Sequence, residues 1–240
     1  MPGSLKAQAV VLRSMRYGEA DRILHLYTLE HGRLGAIAKG VRRTRSRFGG
    51  RLEPFSRVDL VLHQGRSDLL TVTGADAVAP FHRLRESAEA LDAAARACDA
   101  VSRLFEDSDP HPPVFHLLCN ELALLDAGGA QAATLGNQLA FRLKLLVAAG
   151  LNPQLGSCAT CGEGDHLTGF SGAAGGVVCQ SCEGGAFALG EEAHAFMVGA
   201  LAAPLREAPT ASPRALGQAE RALRETVEHH ANVRLRAAAP

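Results

Sequence analysis

The sequence predicts a multidomain α+β protein: an N-terminal β-barrel, then an α-helical bundle with an inserted four-cysteine zinc module. Short apolar or alternating runs, separated by turn residues, fill the first part of the chain. Beyond Pro80 the apolar residues recur with the helical period of 3.6. Two Cys-x-x-Cys pairs then interrupt the helical part. The predicted domains are the barrel, the first helical part, the zinc module and the last helical part, at residues 1–80, 81–152, 153–187 and 188–240.

Composition restricts the class of protein. The 240 residues are 47% hydrophobic and 21% charged, which is ordinary for a globular protein. No apolar run approaches the roughly 18 residues of a membrane span, and the N-terminus lacks a signal-peptide pattern. We therefore expect a cytoplasmic protein with reduced cysteines and no membrane partner. Cys98 and Cys119 lie in helical apolar stripes, where core positions are expected.

Five strands are predicted in the barrel. Turn chemistry around Gly18, Gly32, Gly49 and the segment Gln64–Asp68 separates them. Closure of short strands into a barrel removes exposed edges, which favours an OB-fold barrel, although an SH3-like barrel would leave much the same pattern. The predicted strands lie within residues 7–12, 23–27, 34–38, 58–62 and 69–73.

Five helices are predicted beyond the barrel. Asp109-Pro110 begins the second helix, and Ser212-Pro213 supplies the N-cap and first helical position of the fifth. Because helices flank the cysteine segment on both sides, the zinc module is interpreted as an excursion from the bundle. The predicted helices lie within residues 84–105, 110–128, 134–149, 191–201 and 213–227.

The most basic run of the chain lies in the barrel. No acidic residue occurs from Gly32 to Leu52. Guanidinium groups bind phosphate bidentately, so the run predicts a site for DNA, whereas the alternative is a solvated loop. Its cations are Arg33, Lys39, Arg42, Arg43, Arg45, Arg47 and Arg51.

Charge is divided unevenly along the chain. Residues 1–80 hold 13 Lys/Arg and 7 Asp/Glu, whereas residues 81–240 hold 12 and 18. This asymmetry also suggests that the first part meets a polyanion. Phe48, inside the basic run, is predicted either to stack on an unpaired base or to anchor the loop on the barrel. Tyr17, Tyr27 and Phe55 are interpreted as core or barrel-rim residues.

The two cysteine pairs have the spacing of a structural zinc site. Each Cys-x-x-Cys supplies two thiolates on the same side of a turn, and two such pairs complete a tetrahedron. The intervening segment is rich in glycine and poor in apolar residues, so a metal would supply its folding energy. Two disulfides or a redox pair are the alternatives. One structural Zn²⁺ per chain is predicted at Cys158, Cys161, Cys179 and Cys182.

Motifs for bond chemistry are missing from the sequence. No phosphate-binding loop, dinucleotide loop, nucleophile elbow or zinc-deaminase signature occurs. Four cysteines would also fill the zinc coordination shell and leave no position for a water. We therefore expect no enzymatic activity and no small-molecule substrate. The alternative is a zinc-dependent enzyme, which would require a zinc site with three protein sulfurs and a water.

The order of motifs resembles the bacterial recombination mediator family RecO over nearly the whole chain. The resemblance rests on these segments: Val10–Arg13, Tyr17–Leu24, Thr28–Gly32, Ala38–Arg42, Phe141–Leu146, Gly150–Pro153, Cys158–Gly162 and Gly175–Cys182.

This resemblance implies an N-terminal OB-fold and a helical domain that carries the zinc module. It also implies binding of single- and double-stranded DNA, strand annealing in DNA repair, and a location at the bacterial nucleoid. The implied protein partners are RecR, single-strand DNA-binding protein and, indirectly, RecA. The family binds the acidic, hydrophobic tail of single-strand DNA-binding protein in its helical part, where Phe141, Arg142 and Lys144 have suitable chemistry. The alternative is a zinc-containing accessory factor of transcription or translation, which would bind selected sequences.

Overall fold

Five N-terminal strands close into a barrel in the computed structural model, which describes residues 3–65 and 69–238. They are hydrogen-bonded in the order β1-β2-β3-β5-β4, and β1 pairs with both β2 and β4. This order confirms the predicted OB-like barrel. Residues 66–68 of the predicted turn before β5 lie outside the described residues. The strands are β1 (Ser4–Tyr17), β2 (Asp21–Thr28), β3 (Gly32–Ala38), β4 (Arg57–His63) and β5 (Leu70–Ala79).

Alternating side chains build the barrel core. Leu24 and Leu26 of β2 lie opposite Ala36 and Leu34 of β3, and strand alternation directs the intervening residues outward. The connection between β3 and β4 contributes Phe48, 2% exposed, and Leu52, 1% exposed, to the same core cluster. The connection is therefore attached to the barrel by its apolar residues, and its polar residues are left outside.

Two helices belong to the same compact unit as the barrel, residues 1–129. They are α1 (Ala88–Leu104) and α2 (Pro112–Gly128). A 3₁₀ turn at Arg83–Glu86 precedes α1, so the first predicted helix is interrupted. The reason is Ser87: its backbone is extended, and its side chain accepts a hydrogen bond from the backbone N–H of Ala90, which caps α1.

The segment between α1 and α2 lies against the barrel. The backbone N–H of Ser108 donates to the carbonyl of Arg33 at 3.1 Å, and the ring centroids of Phe105 and Tyr27 are 6.1 Å apart. At Gly32, which has φ +62°, an added Cβ would lie 2.2 Å from the carbonyl oxygen of Asp109. Only glycine fits this close approach.

The second compact unit comprises residues 130–240. Thr134 and Ser212 cap α3 and α5 through side-chain oxygens that accept backbone N–H groups, as predicted for Ser212. A three-stranded sheet in the order β7-β6-β8 lies between α3 and α4 in the sequence. The elements are α3 (Leu135–Ala148), β6 (Leu167–Ser171), β7 (Gly176–Cys179), β8 (Phe187–Ala188), α4 (Glu191–Ala202) and α5 (Pro213–His230).

The five helices occur where the sequence predicts them, apart from the interruption at Ser87. None of the helices in the described parts of the chain is long and apolar enough to cross a membrane. The division into residues 1–80, 81–152, 153–187 and 188–240 stays a prediction.

Candidate nucleic-acid interface and metal centre

Six of the seven predicted phosphate-binding cations are exposed on the connection between β3 and β4. The connection begins on the turn between β1 and β2: the N–H of Gly40 donates to Asp21 Oδ1 at 2.7 Å, and that of Arg42 donates to the carbonyl of Ala20 at 2.9 Å. These backbone bonds attach the start of the basic segment to the β1–β2 hairpin. The six exposed cations, which we call the basic loop set, are Lys39, Arg42, Arg43, Arg45, Arg47 and Arg51.

The basic loop set carries uncompensated charge. Within residues 3–65 and 69–238, no carboxylate forms an ion pair with any of the six. Arg42 Nη1 donates to the carbonyl of Glu19 at 3.1 Å, and Arg51 Nη1 donates to the carbonyls of Arg47 and Phe48 at 3.2 Å. These bonds orient the side chains but leave their charges available to an anion.

Arg33 differs from the other predicted cations. Its Nε lies 2.5 Å from Asp107 Oδ1, and its Nη1 donates to the carbonyl of Ser102 near the C-terminus of α1. The guanidinium therefore binds groups of its own unit and neutralises a carboxylate. In this structure, Arg33 acts as a link between β3 and the α1–α2 segment.

Phe48 is an anchor and offers no exposed ring for stacking. Its side chain lies in the barrel core, and the guanidinium carbon of Arg47 is 4.8 Å from the ring centroid. Of the two roles predicted for Phe48, the structure supports the packed one.

Tyr17 is the exposed aromatic residue that sequence reasoning placed in the core or at the barrel rim. Its side chain is 54% exposed at the end of β1. The adjacent Gly18, with φ +54°, begins the turn on which the basic loop docks. In the sequence, the one indication that Tyr17 is exposed is its position directly before a turn glycine. The sequence alone does not show which side of the strand is covered.

The four predicted zinc ligands meet at one point. All four Sγ atoms lie within 4.8 Å of one another, and Cys161 Sγ is 3.7 Å from Cys179 Sγ. A tetrahedral Zn–S bond of about 2.3 Å requires sulfur atoms about 3.8 Å apart. The donor set is thus of the size and chemistry that a zinc ion accepts, and the cluster could hold a metal ion.

Backbone N–H groups favour the thiolate at one of the four cysteines, and the neighbouring sulfurs disfavour it at another. Backbone N–H groups of Cys161 and Cys179 lower the pKa of Cys158 to about 6. The neighbouring thiols of Cys161 and Cys179 raise the pKa of Cys182 to about 12. Four thiolates so close together require a compensating positive charge, and a bound metal ion would supply it.

The cysteine segment is attached to the helices of its own unit. His194 Nε2 lies 2.7 Å from the carbonyl of Leu155, and His230 Nε2 lies 2.7 Å from that of Gly172. An added Cβ at Gly176 would lie 2.3 Å from the carbonyl of Gln154, which explains why glycine occupies the start of β7. The two histidines, interpreted from the sequence as structural or solvated, thus hold the module.

The structure separates the three residues proposed to bind the tail of single-strand DNA-binding protein. Arg142 borders a small cavity, Lys144 contacts the end of α4, and Phe141 is buried. Phe141 is only 1% exposed and packs in the core, so its ring is not available to a partner in this structure. Arg142 borders a cavity of about 90 Å³ together with Leu223 and other residues of α3, α5 and the C-terminal segment. Lys144 Nζ donates to the carbonyl of Leu201 at 3.0 Å, and burial lowers its pKa.

Family models and curated relatives agree on one family for both parts of the chain. Residues 1–81 match the family model described as recombination protein O N terminal, and residues 85–238 match recombination protein O C terminal. The chain is 41% identical to a DNA repair protein RecO of Rubrobacter xylanophilus over 94% of this chain and 90% of the relative. It is 39% identical to that of Anaeromyxobacter sp. (strain K) over 97% and 94%. The barrel, the cysteine cluster and these matches together show that the chain belongs to the RecO family of DNA repair proteins.

Proposed function

We propose that this protein is a non-catalytic, DNA-binding recombination mediator in DNA repair. The observation that carries the proposal is the basic loop set, six exposed cations without an ion-pair partner in the described residues, on a closed barrel. Phosphate groups are the natural ligands of such a set, because arginine binds them in a fixed bidentate geometry. The same chemistry applies to single- and double-stranded DNA, since both present phosphates.

Family membership supports the finer parts of the proposal. We infer that the protein anneals complementary strands and, with RecR, helps RecA to load on strands coated by single-strand DNA-binding protein. The cavity beside Arg142 is bordered by apolar side chains, by Glu220 and by the exposed Arg224. Because Arg142 lies 3.8 Å from Glu220 and donates to the carbonyl of Arg236, Arg224 is the cation of this cavity that we assign to that protein's acidic, hydrophobic tail. Lys144 lies on the same helix as Arg142, one position from the buried Leu143 and Leu145.

The metal in this proposal is one structural zinc ion. Cys158, Cys161, Cys179 and Cys182 would hold it, and it would supply folding energy without chemistry on DNA. A shell of four sulfur ligands has no position for an activated water. The absence of enzymatic activity is part of the same proposal.

A salt titration tests the DNA-binding proposal. If about five of the six cations contact phosphates of a single strand, the slope of log K against log salt is about −3.5. Replacing Arg42, Arg43, Arg45 and Arg47 with Ala should flatten this slope by about 3 units, to a similar extent on unrelated DNA sequences.

The matched control removes the same charge elsewhere. Arg206, Arg214, Arg224 and Arg234 are exposed arginines of the second unit, and their replacement by Ala should leave the slope nearly unchanged. Equal slopes for the wild type and the loop variant would mean that the basic loop is a solvated surface. Strong preference for one DNA sequence would instead favour an accessory factor of transcription.

A further inference from the structure

The segment that follows α5 turns back along this helix. Asn232, two residues after the helix ends, has φ +53°, a left-handed conformation that asparagine tolerates and that reverses the chain. Arg234 then lies 3.8 Å from Glu228, and the backbone N–H of Ala238 donates at 2.6 Å to Glu220, near the middle of α5. We call residues 232–238 the strap.

Two helix residues hold the end of the strap. Arg142 of α3 donates to the carbonyl of Arg236, and Glu220 of α5 accepts the N–H of Ala238. The side chains of Arg142 and Glu220 are themselves 3.8 Å apart, from Nη1 to Oε1, so both bonds are made at one point. Hydrogen bonds to charged groups are stronger than neutral ones, and this pair therefore fixes the strap in its closed position.

The strap limits the size of the cavity beside Arg142. Leu235 and Ala237 border this cavity of about 90 Å³, together with Leu146 of α3 and Leu223 of α5. An apolar cavity that admits a benzene ring measures about 150 Å³. The cavity is therefore too small for an aromatic side chain while the strap is closed. Removal of Leu235 would enlarge it.

The strap is also weakly held compared with the helices beneath it. It contains no helix or strand, Val233 and Leu235 are only half-buried, and the side chain of Arg234 is 90% exposed. Leu223 and Val227 of α5, in contrast, are buried. A segment with few buried contacts opens at a small cost in free energy, and its opening would leave an apolar groove on the helices.

We propose that the strap competes with the acidic, hydrophobic tail assigned to this cavity, so that the tail binds only when the strap is open. The inference rests on the tail site proposed above and adds its regulation. An open strap exposes the apolar groove with Arg224 at its border, which matches the two kinds of group in the tail. The apparent affinity for the tail is then reduced by the fraction of molecules whose strap is open.

Removal of the strap gives the first test. A chain that ends at Ala231 should bind a fluorescein-labelled peptide of the tail about tenfold more tightly than the wild type, as measured by fluorescence anisotropy. Leu235→Ala in the full chain keeps the strap but removes apolar contact, and should tighten binding about fivefold. Arg234→Ala is the matched control on the strap. Its side chain does not border the cavity, so its affinity should be that of the wild type.

Trypsin reports the position of the strap directly, because it cleaves after arginine. The carbonyl of Arg236 is bonded to Arg142 in the closed strap, which protects the peptide bond after Arg236. Addition of the tail peptide should therefore accelerate cleavage at this bond in the wild type, as detected by mass spectrometry. A peptide of aspartates without hydrophobic residues is the control and should leave the rate unchanged.

The outcomes separate the strap from the tail site on which it rests. If the wild type binds the peptide and neither the shortened chain nor Leu235→Ala binds it more tightly, the competition is overturned and the tail site remains. Slower tryptic cleavage with the peptide also overturns it, since the strap would then form a wall of the site. If neither the wild type nor these variants bind the peptide, both proposals fail. Circular dichroism checks the fold of the shortened chain; should this chain not fold, Leu235→Ala decides.

Discussion

At the scale of single residues, the arginines of the basic run have the same chemistry but different neighbours. Arg43 is exposed on the loop, whereas the guanidinium of Arg33 contacts Asp107 and the carbonyl of Ser102. Carbonyls in the last turn of a helix lack intrahelical partners, so Arg33 satisfies one of them for α1. Its contribution is therefore structural.

Arg33→Ala should lower stability without changing the phosphate contacts. The ion pair is partly exposed, with side-chain exposures of 28% and 73%, so we expect a loss of only about 1 kcal/mol in the free energy of unfolding. Denaturant unfolding measures this loss, and salt titration should give the wild-type slope. Arg43→Ala is the matched control, for which we expect the reverse: unchanged stability and a flatter slope. A flatter slope for Arg33→Ala would restore it to the phosphate-binding set.

Sequence reasoning could identify the basic run but not this division of roles. Asp107 and Ser102, which Arg33 contacts, are about 70 positions away in the chain, and no local sequence pattern predicts these contacts. Phe48 presents the same difficulty, because only the closed barrel shows that its ring enters the core. For Tyr17 the sequence left core and barrel rim open, because strand alternation alone does not tell which face of a sheet stays uncovered; its exposure at the end of β1 excludes the core.

At the scale of elements, the cysteine module combines metal ligands with a small apolar core. Cys158, Val178 and Cys179 form the buried cluster at the sulfurs, and Phe170 and Phe187 are buried as well. The spacing of the cysteines predicted this site because metal coordination is specified by local sequence. Strands β6, β7 and β8 were not predicted, since runs of two to five residues rich in glycine carry little periodicity.

Cys179→Ser should remove the metal and loosen this module. A structural zinc site contributes on the order of 10 kcal/mol to folding, and a serine hydroxyl is a poor substitute for the thiolate. We expect metal analysis to fall from one zinc per chain to well below one, and residues 130–240 to become more sensitive to proteolysis. DNA affinity should change little. Cys98→Ala is the control, because this buried cysteine of α1 should not affect the metal content; retention of zinc by Cys179→Ser would contradict the four-cysteine site.

At the scale of the whole molecule, the charge asymmetry between residues 1–80 and 81–240 disappears when charge is counted for each compact unit. Residues 1–129 hold 17 Lys/Arg and 16 Asp/Glu, and residues 130–240 hold 8 and 9, so each compact unit is nearly neutral. Many of the acids that follow the barrel lie on α1, α2 and their connection, in the barrel's own unit. The barrel's positive charge is thus concentrated on the basic loop set and balanced elsewhere in the same unit.

The same observation predicts where the chain can be divided. A fragment of residues 1–80 would lose Phe105, which covers Tyr27, and both groups that Arg33 contacts. A fragment of residues 1–129 keeps them, together with α1 and α2. We therefore expect the longer fragment to unfold several degrees higher in a thermal scan, because it retains this buried apolar surface. It should also bind DNA with the salt slope of the full chain, whereas residues 130–240 should bind zinc and little DNA. Equal melting temperatures for the two barrel fragments would show that the barrel needs neither helix.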